Sequence, residues 1–180
     1  MDRETNGVYP SQYKAELLLE DGSRIMLRPI EMGDTDRWLS FVSNLSIHTK
    51  YLRFHHVPKQ MGIDDAIRFC TVDYKDTFAL VAKVRGEQRR DIVDIGRYYR
   101  LPSRNYAEIA IVVMDAYQEK GIGTQIIERL ANVARNNGIT TFEAYVLAEN
   151  DKTMDFLRDY GFRVTAELEE AVYHVTLLIA

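Results

Sequence analysis

The sequence predicts an α/β fold of the α+β kind, a mixed, mostly antiparallel central sheet flanked by about four helices. Three observations carry that expectation. The chain has 180 residues, enough for one sizeable core and too few for two. Apolar residues recur alternately at strand and helix spacing along nearly all of it. In one place a strand pattern passes through a helix into another strand, the signature of a single parallel crossover.

The elements follow in order. Met1 to Lys14 reads as a polar extension, and residues 15–180 as the single domain. Between Ala15 and Ile30, two apolar runs flank Glu20, Asp21, Gly22 and Ser23, whose Asp-Gly pair marks a hairpin turn. Trp38, Phe41, Val42 and Leu45 then take helical spacing with Asp34 available as a cap, and Ile63, Ala66, Ile67 and Cys70 repeat it after Gly62. The stretch from Tyr51 to His56 mixes aromatics and bases without a period and is expected to be a loop or helix end. Thr77 to Val84, Asp91 to Leu101 and Tyr106 to Val113 predict an antiparallel meander of three strands. Ile126, Ile127, Leu130, Val133 and Ala134 predict a helix closed by Gly138, followed by a strand from Thr140 to Leu147. Asn150 starts a helix that Gly161 ends, and Phe162 to Thr165 and Val172 to Ile179 supply the last strands.

Composition excludes several functions. Hydrophobic residues are 46% and charged ones 28%, which is ordinary for a globular domain and excludes disorder. The net charge of −4 is opposite in sign to the basic footprint that nucleic acid requires. No run approaches the ~20 apolar residues that span a bilayer, and the first twelve residues lack the apolar run of a signal peptide. The lone Cys70 can form no bridge within the chain and reads as a small buried hydrophobe. The adjacent His55 and His56 point in different directions without a third ligand nearby, so no metal is expected. A cytoplasmic location is the expectation. Leu177 and Ile179, if exposed on the final strand, offer a basis for a homodimer, and equally fit a covered sheet.

Chemistry is expected at Gln118, Glu119, Lys120, Gly121, Ile122, Gly123 and Thr124, where a strand passes into a helix. Two glycines let the backbone turn tightly and approach a ligand, and the amides of a first helical turn suit a phosphate. Ile126 stands where the dinucleotide fingerprint needs its third glycine, and no Gly-Lys-Ser or Gly-Lys-Thr is present, so both common nucleotide motifs fail. Glu108 lies among Ala107, Ile109, Ala110 and Ile111, where an acid needs a task or a partner. By alternation it shares a sheet face with Ala110 and Val112.

Gln118-x-x-Gly121-x-Gly123 after an apolar strand resembles the acyl-CoA pyrophosphate motif of the GNAT acetyltransferase superfamily, and the element order is similar along nearly the whole chain. Leu27-Arg28-Pro29-Ile30, Tyr51-Leu52-Arg53-Phe54, Ala107-Glu108-Ile109-Ala110 and Asp115-Ala116-Tyr117-Gln118 resemble the catalytic domain of bacterial Pat-type protein lysine acetyltransferases. The resemblance implies acetyl-CoA as cosubstrate and a protein lysine as acceptor, with an acyl-CoA synthetase as one carrier of that lysine. It implies that Ile111, Val112 and Val113 pair with the pantetheine arm, that Gln118 to Thr124 hold the pyrophosphate, and that Lys120 adds a charge. Asn150 matches a position that contacts the cofactor, and Glu108 matches the general base. The position that holds a tyrosine acid in many relatives is Leu157 here, which leaves the proton for the thiolate unassigned. The same cofactor site serves small amines and protein N-termini, and a non-catalytic acyl-CoA sensor also fits it. The acidic stretch Glu167 to Glu170, expected between the last two strands, is a candidate attractor of a cationic lysine, and equally a solvated turn.

Overall fold

A computed structural model describes residues 7–19, 21–58, 60–84, 92–102, 105–161 and 163–180. Glu20, Asp91 and Phe162, expected in a turn and at two strand starts, and residues 1–6 of the extension lie outside the described residues. Strands β1 (Ala15–Leu18) and β2 (Arg24–Pro29) form the expected hairpin. Three helices follow: α1 (Thr35–Asn44), α2 (Ile47–Phe54) and α3 (Ile63–Cys70). The meander is β3 (Thr77–Val84), β4 (Ile92–Arg100) and β5 (Tyr106–Val113), and then come α4 (Ile122–Asn136), β6 (Thr141–Leu147), α5 (Asp151–Asp159), β7 (Arg163–Glu169) and β8 (Val172–Leu178).

The strands form one sheet in the order β1-β2-β3-β4-β5-β6-β8-β7. Every neighbouring pair is antiparallel except β5 with β6, which the α4 crossover joins in parallel. One core lies between the sheet and α4 with α5, centred on Ile126, Ile127, Leu130, Phe142 and Leu157. The other lies under α1 and α3, where Trp38, Phe41 and Val42 meet Ala79, Val81 and Ile95 of β3 and β4. At Gly96 the sheet and α4 are so close that a Cβ would stand 2.2 Å from Ile126 Cγ2. Among the described residues no helix is long and apolar enough to cross a membrane.

Four expectations are corrected. The stretch ending at Phe54 is a helix, α2, started by Ser46, whose side chain accepts a hydrogen bond from the Thr49 amide at 3.0 Å. Its apolar period is hidden because it buries Thr49 and leaves Ile47 exposed, and it stops on His55 in the left-handed conformation instead of on a glycine. Asp34 gives α1 no side-chain cap; fully buried, it accepts two hydrogen bonds from Arg28, at 2.5 and 2.7 Å. Burial opposes its charge, but the Arg28 guanidinium prevails and holds the carboxyl below its ordinary range. Glu167 and Glu169 lie within β7, not between the last strands, so the turn is only Glu170 and Ala171. Leu177 and Ile179 are buried in the core, which removes them as a dimer surface. Cys70 is buried as expected, and burial pushes its thiol up to about 12.

Candidate active site

The site begins with a gap in the sheet. β5 and β6 pair only from Tyr106↔Thr141 to Glu108↔Glu143. Beyond that, β5 stays with β4 as far as Val113, while β6 stays with β8 as far as Leu147. The two strands part, and a cleft of about 740 Å³ opens between them. The edge of β5 that β6 abandons offers backbone amides and carbonyls to whatever enters, so an extended, amide-bearing chain can add there as a strand would.

At one end of the cleft lies the glycine turn. Gly121 takes φ +78° at the start of α4, a conformation that other residues reach only with strain. The first amides of α4 consequently face the cleft, which Gln118, Glu119, Gly121, Ile122, Gly123 and Thr124 line. Gln118 Nε2 donates to the Val113 carbonyl at 3.2 Å, tying the turn to the end of β5. Lys120 does not line the cleft: its Nζ pairs with Asp21 at 2.7 Å and sits over the Tyr117 ring. Lys152 of α5 meets Glu119 at 2.5 Å across the mouth. Asn150 lines the cleft and also caps α5 by accepting from the Thr153 amide at 3.2 Å, so both readings of that residue have a geometric basis.

Ile111, Val112 and Val113 line the middle, and Glu108 stands at the far end, on the last paired rung before the strands part. Both faces of β5 border the cleft here, Glu108, Ala110 and Val112 on one and Ile109, Ile111 and Val113 on the other. Across the sheet its neighbours are Tyr99 on β4 and Glu143 on β6. Glu143 is buried and lies 3.3 Å from His174 Nε2, and His174 stacks on the half-exposed Tyr145. Leu157 is a buried residue lining the opposite wall. Tyr160 packs against the core beyond α5. Among the described residues no group of His, Cys, Asp and Glu is arranged to hold a metal ion.

The remaining wall is α2, which the sequence did not reveal as a helix. Its N-terminus is pinned beside the glycine turn by Asp115, which accepts from the Ser46 amide (3.0 Å), the Ser46 hydroxyl (2.7 Å) and the Thr49 hydroxyl (2.7 Å). Burial works against the Asp115 charge, but these donors outweigh it and hold its carboxyl below the ordinary range. From that anchor α2 runs along β5 and brings His48, Leu52, Arg53, Phe54 and His55 to the cleft, with Arg53 near Glu108. The Ser46-x-x-Thr49 start was the available signal. His56 faces the Phe54 carbonyl at 2.8 Å, outside the cleft lining.

Known proteins share this fold and part of this sequence. The model of the acetyltransferase (GNAT) family matches residues 38–162. The GNAT domain of S. lividans PAT superposes with a TM-score of 0.85 at 30% identity, over 94% of this chain and 98% of that one. The acetyltransferase Pat of Mycolicibacterium smegmatis is 33% identical over 129 residues, 72% of this chain but only 38% of Pat. Thialysine N-epsilon-acetyltransferase of Sus scrofa is 35% identical over 155 residues, 81% of this chain and 88% of that protein.

Proposed function

The chain belongs to the acetyltransferase (GNAT) family, and on that premise we propose that it moves acetyl from acetyl-CoA to an amine, a protein lysine, with Glu108 as general base. The observation that carries this reading is the position of Glu108 where β5 and β6 part, at one end of a cleft whose other end is the glycine turn. The vacated β5 edge at Ile111, Val112 and Val113 suits the two amides of a pantetheine arm. The amides from Gln118 to Thr124, at the positive end of α4, suit its pyrophosphate. Asn150 borders the same path, and Lys120, held by Asp21, adds its charge from outside the lining.

An amine with a pKa near ~10.4 arrives protonated and cannot attack. Glu108 accepts that proton, directly or through water, and the freed nitrogen attacks the thioester carbon. A backbone amide of β5 near Val113 donates to the oxyanion. The attacking nitrogen now carries a second surplus proton, which passes to the sulfur, directly or through water, as the carbon–sulfur bond breaks, so coenzyme A leaves as the thiol with no side chain required as acid, in keeping with Leu157 on that wall. The resemblance of the motifs to Pat-type protein lysine acetyltransferases, joined by the likeness to S. lividans PAT and to Pat, supports a protein lysine, with an acyl-CoA synthetase as one candidate carrier. A second reading, a small amine as acceptor, draws support from the likeness to thialysine N-epsilon-acetyltransferase.

The test is thiol release from acetyl-CoA with an acyl-CoA synthetase and, separately, with a panel of small amines. Glu108→Gln is expected to lower turnover by about 10²–10⁴ while acetyl-CoA affinity is kept. Unchanged turnover removes Glu108 from the mechanism, and tight acetyl-CoA binding without release in any arm replaces the enzyme by a sensor.

A further inference from the structure

Arg53 stands in the last turn of α2, half-buried, on the same cleft wall that faces Glu108. Among the described residues it makes no hydrogen bond and no ion pair, and its guanidinium only packs over the Phe54 ring, 5.2 Å from the centroid. Guanidinium groups present five donors, and donors taken from water normally find acceptors.

Behind it lies a second cation. Arg97 of β4 is 2% exposed; one terminal nitrogen donates to the Phe69 carbonyl at 2.6 Å, and its Nε has no partner. The two arginines share the lining of a cavity of about 20 Å³ with Phe54, Phe69 and Val112, room for roughly one water. Burial, and then the like charge of Arg97, push the Arg53 guanidinium down to about 10, so it is still ionised at neutral pH. Glu108 is near enough to favour that charge but forms no ion pair with it. This end of the cleft thus holds a carboxylate and, beside it, a cation whose charge is not neutralised by contact.

The phosphates of a coenzyme are not the answer to that cation. Glu108 and Val113 are five residues apart on one strand, about 17 Å at strand rise, and the glycine turn lies beyond Val113. Resting on the reading of this chain as an amine acetyltransferase, we propose that Arg53, backed by Arg97, receives a carboxylate of the acceptor, so that the preferred substrate carries an anion beside its reactive amine. Arg53 is then a specificity residue and Glu108 remains the base. The carboxylate has two sources, the α-carboxylate of a free amino acid or an acidic side chain next to a lysine in a protein.

Two substrate pairs separate these sources. One is L-lysine against L-lysinamide; the other is a single-lysine peptide flanked by glutamate against the same peptide flanked by glutamine. The Nε-acetyl product is measured by mass for wild type, Arg53→Met and Arg53→Lys. In the wild type, the carboxylate-bearing member of one pair is expected to be favoured by about 10- to 100-fold in kcat/KM, the size of a charge-assisted hydrogen bond, and that pair names the source. Arg53→Met should bring the ratio to about one. Arg53→Lys, which keeps the charge without the two-pronged grip, should leave an intermediate ratio and serves alone if the methionine variant does not fold. Damage that is merely structural lowers both members of a pair together and leaves their ratio standing. A wild-type ratio near one in both pairs, or the wild-type ratio retained in the variants, overturns the assignment of Arg53 while acetyl transfer itself stands. Failure of the wild type to acetylate any amine overturns the enzyme reading as well.

Discussion

Replacing Asp115 by alanine tests whether α2 is a working wall of the cleft. The carboxylate accepts three hydrogen bonds, two of them from Ser46 and one from Thr49, and no other described residue makes those bonds. A net contribution near 0.5–1.5 kcal/mol for each, taken at the lower half because water reaches the site, gives a loss of about 1.5–3 kcal/mol. For a chain of this length that corresponds to roughly 3–12 °C in Tm. The larger effect is on function. With its N-terminus released, α2 no longer holds Arg53 against the Glu108 end, and a misplacement near 1 Å lowers kcat/KM by on the order of 10²-fold. Calorimetric melting and acetyl-CoA-dependent thiol release on the same preparation read both quantities. A Tm that falls as calculated with kcat/KM unchanged would refute α2 as a determinant of the site, and an unchanged Tm would refute the pinning itself. Thr49→Val removes one bond of the three and should give about a third of the stability loss.

Two further substitutions probe the scaffold. Gly96→Ala places a Cβ 2.2 Å from Ile126 Cγ2 and 3.0 Å from Leu130 Cδ1, and the β-branched Ile126 has little rotamer freedom in α4, so a loss of about 1–3 kcal/mol is expected on urea unfolding. A loss under ~0.5 kcal/mol would mean that α4 shifts freely on the sheet. Asp94 is fully buried beside Ala82 and Val113, and burial raises its carboxyl well above the ordinary value. The unfolded chain ionises this group near ~4 and the folded one resists, so its contribution to stability is greatest below that pH and declines as pH rises toward the folded value. Each tenfold difference in proton affinity costs about 1.4 kcal/mol. Asp94→Asn should therefore stabilise the protein more at pH 8 than at pH 4, and parallel unfolding curves for the two proteins at both pH values would count against it.

Local chemistry accounts for most of what the sequence alone determined. Period-two and period-3.6 patterns, with Gly138, Asn150 and Gly161 as stops and starts, placed the meander, α4, β6 and α5 because those elements bury one regular face. The glycine turn was legible for the same reason: a left-handed Gly121 after an apolar strand is a local requirement. Glu108 stood out as a lone acid in an apolar strand, but whether it bordered a cleft depended on how far β5 and β6 stay paired, and register between strands separated by a helix is a tertiary property. The wall formed by α2 was hidden because its inward residues, Thr49, Leu52 and Arg53, face a cleft and its anchor instead of a core, and so carry no apolar period. Asp34 and Lys120 show the same limit. Asp34 was judged by its neighbours in sequence as a cap and is taken by Arg28, and the charge that the family resemblance assigns to Lys120 is partnered by Asp21, a contact that only folding brings about. Burial and charge pairing depend on distance in space, and they decided the Glu108 end of the cleft.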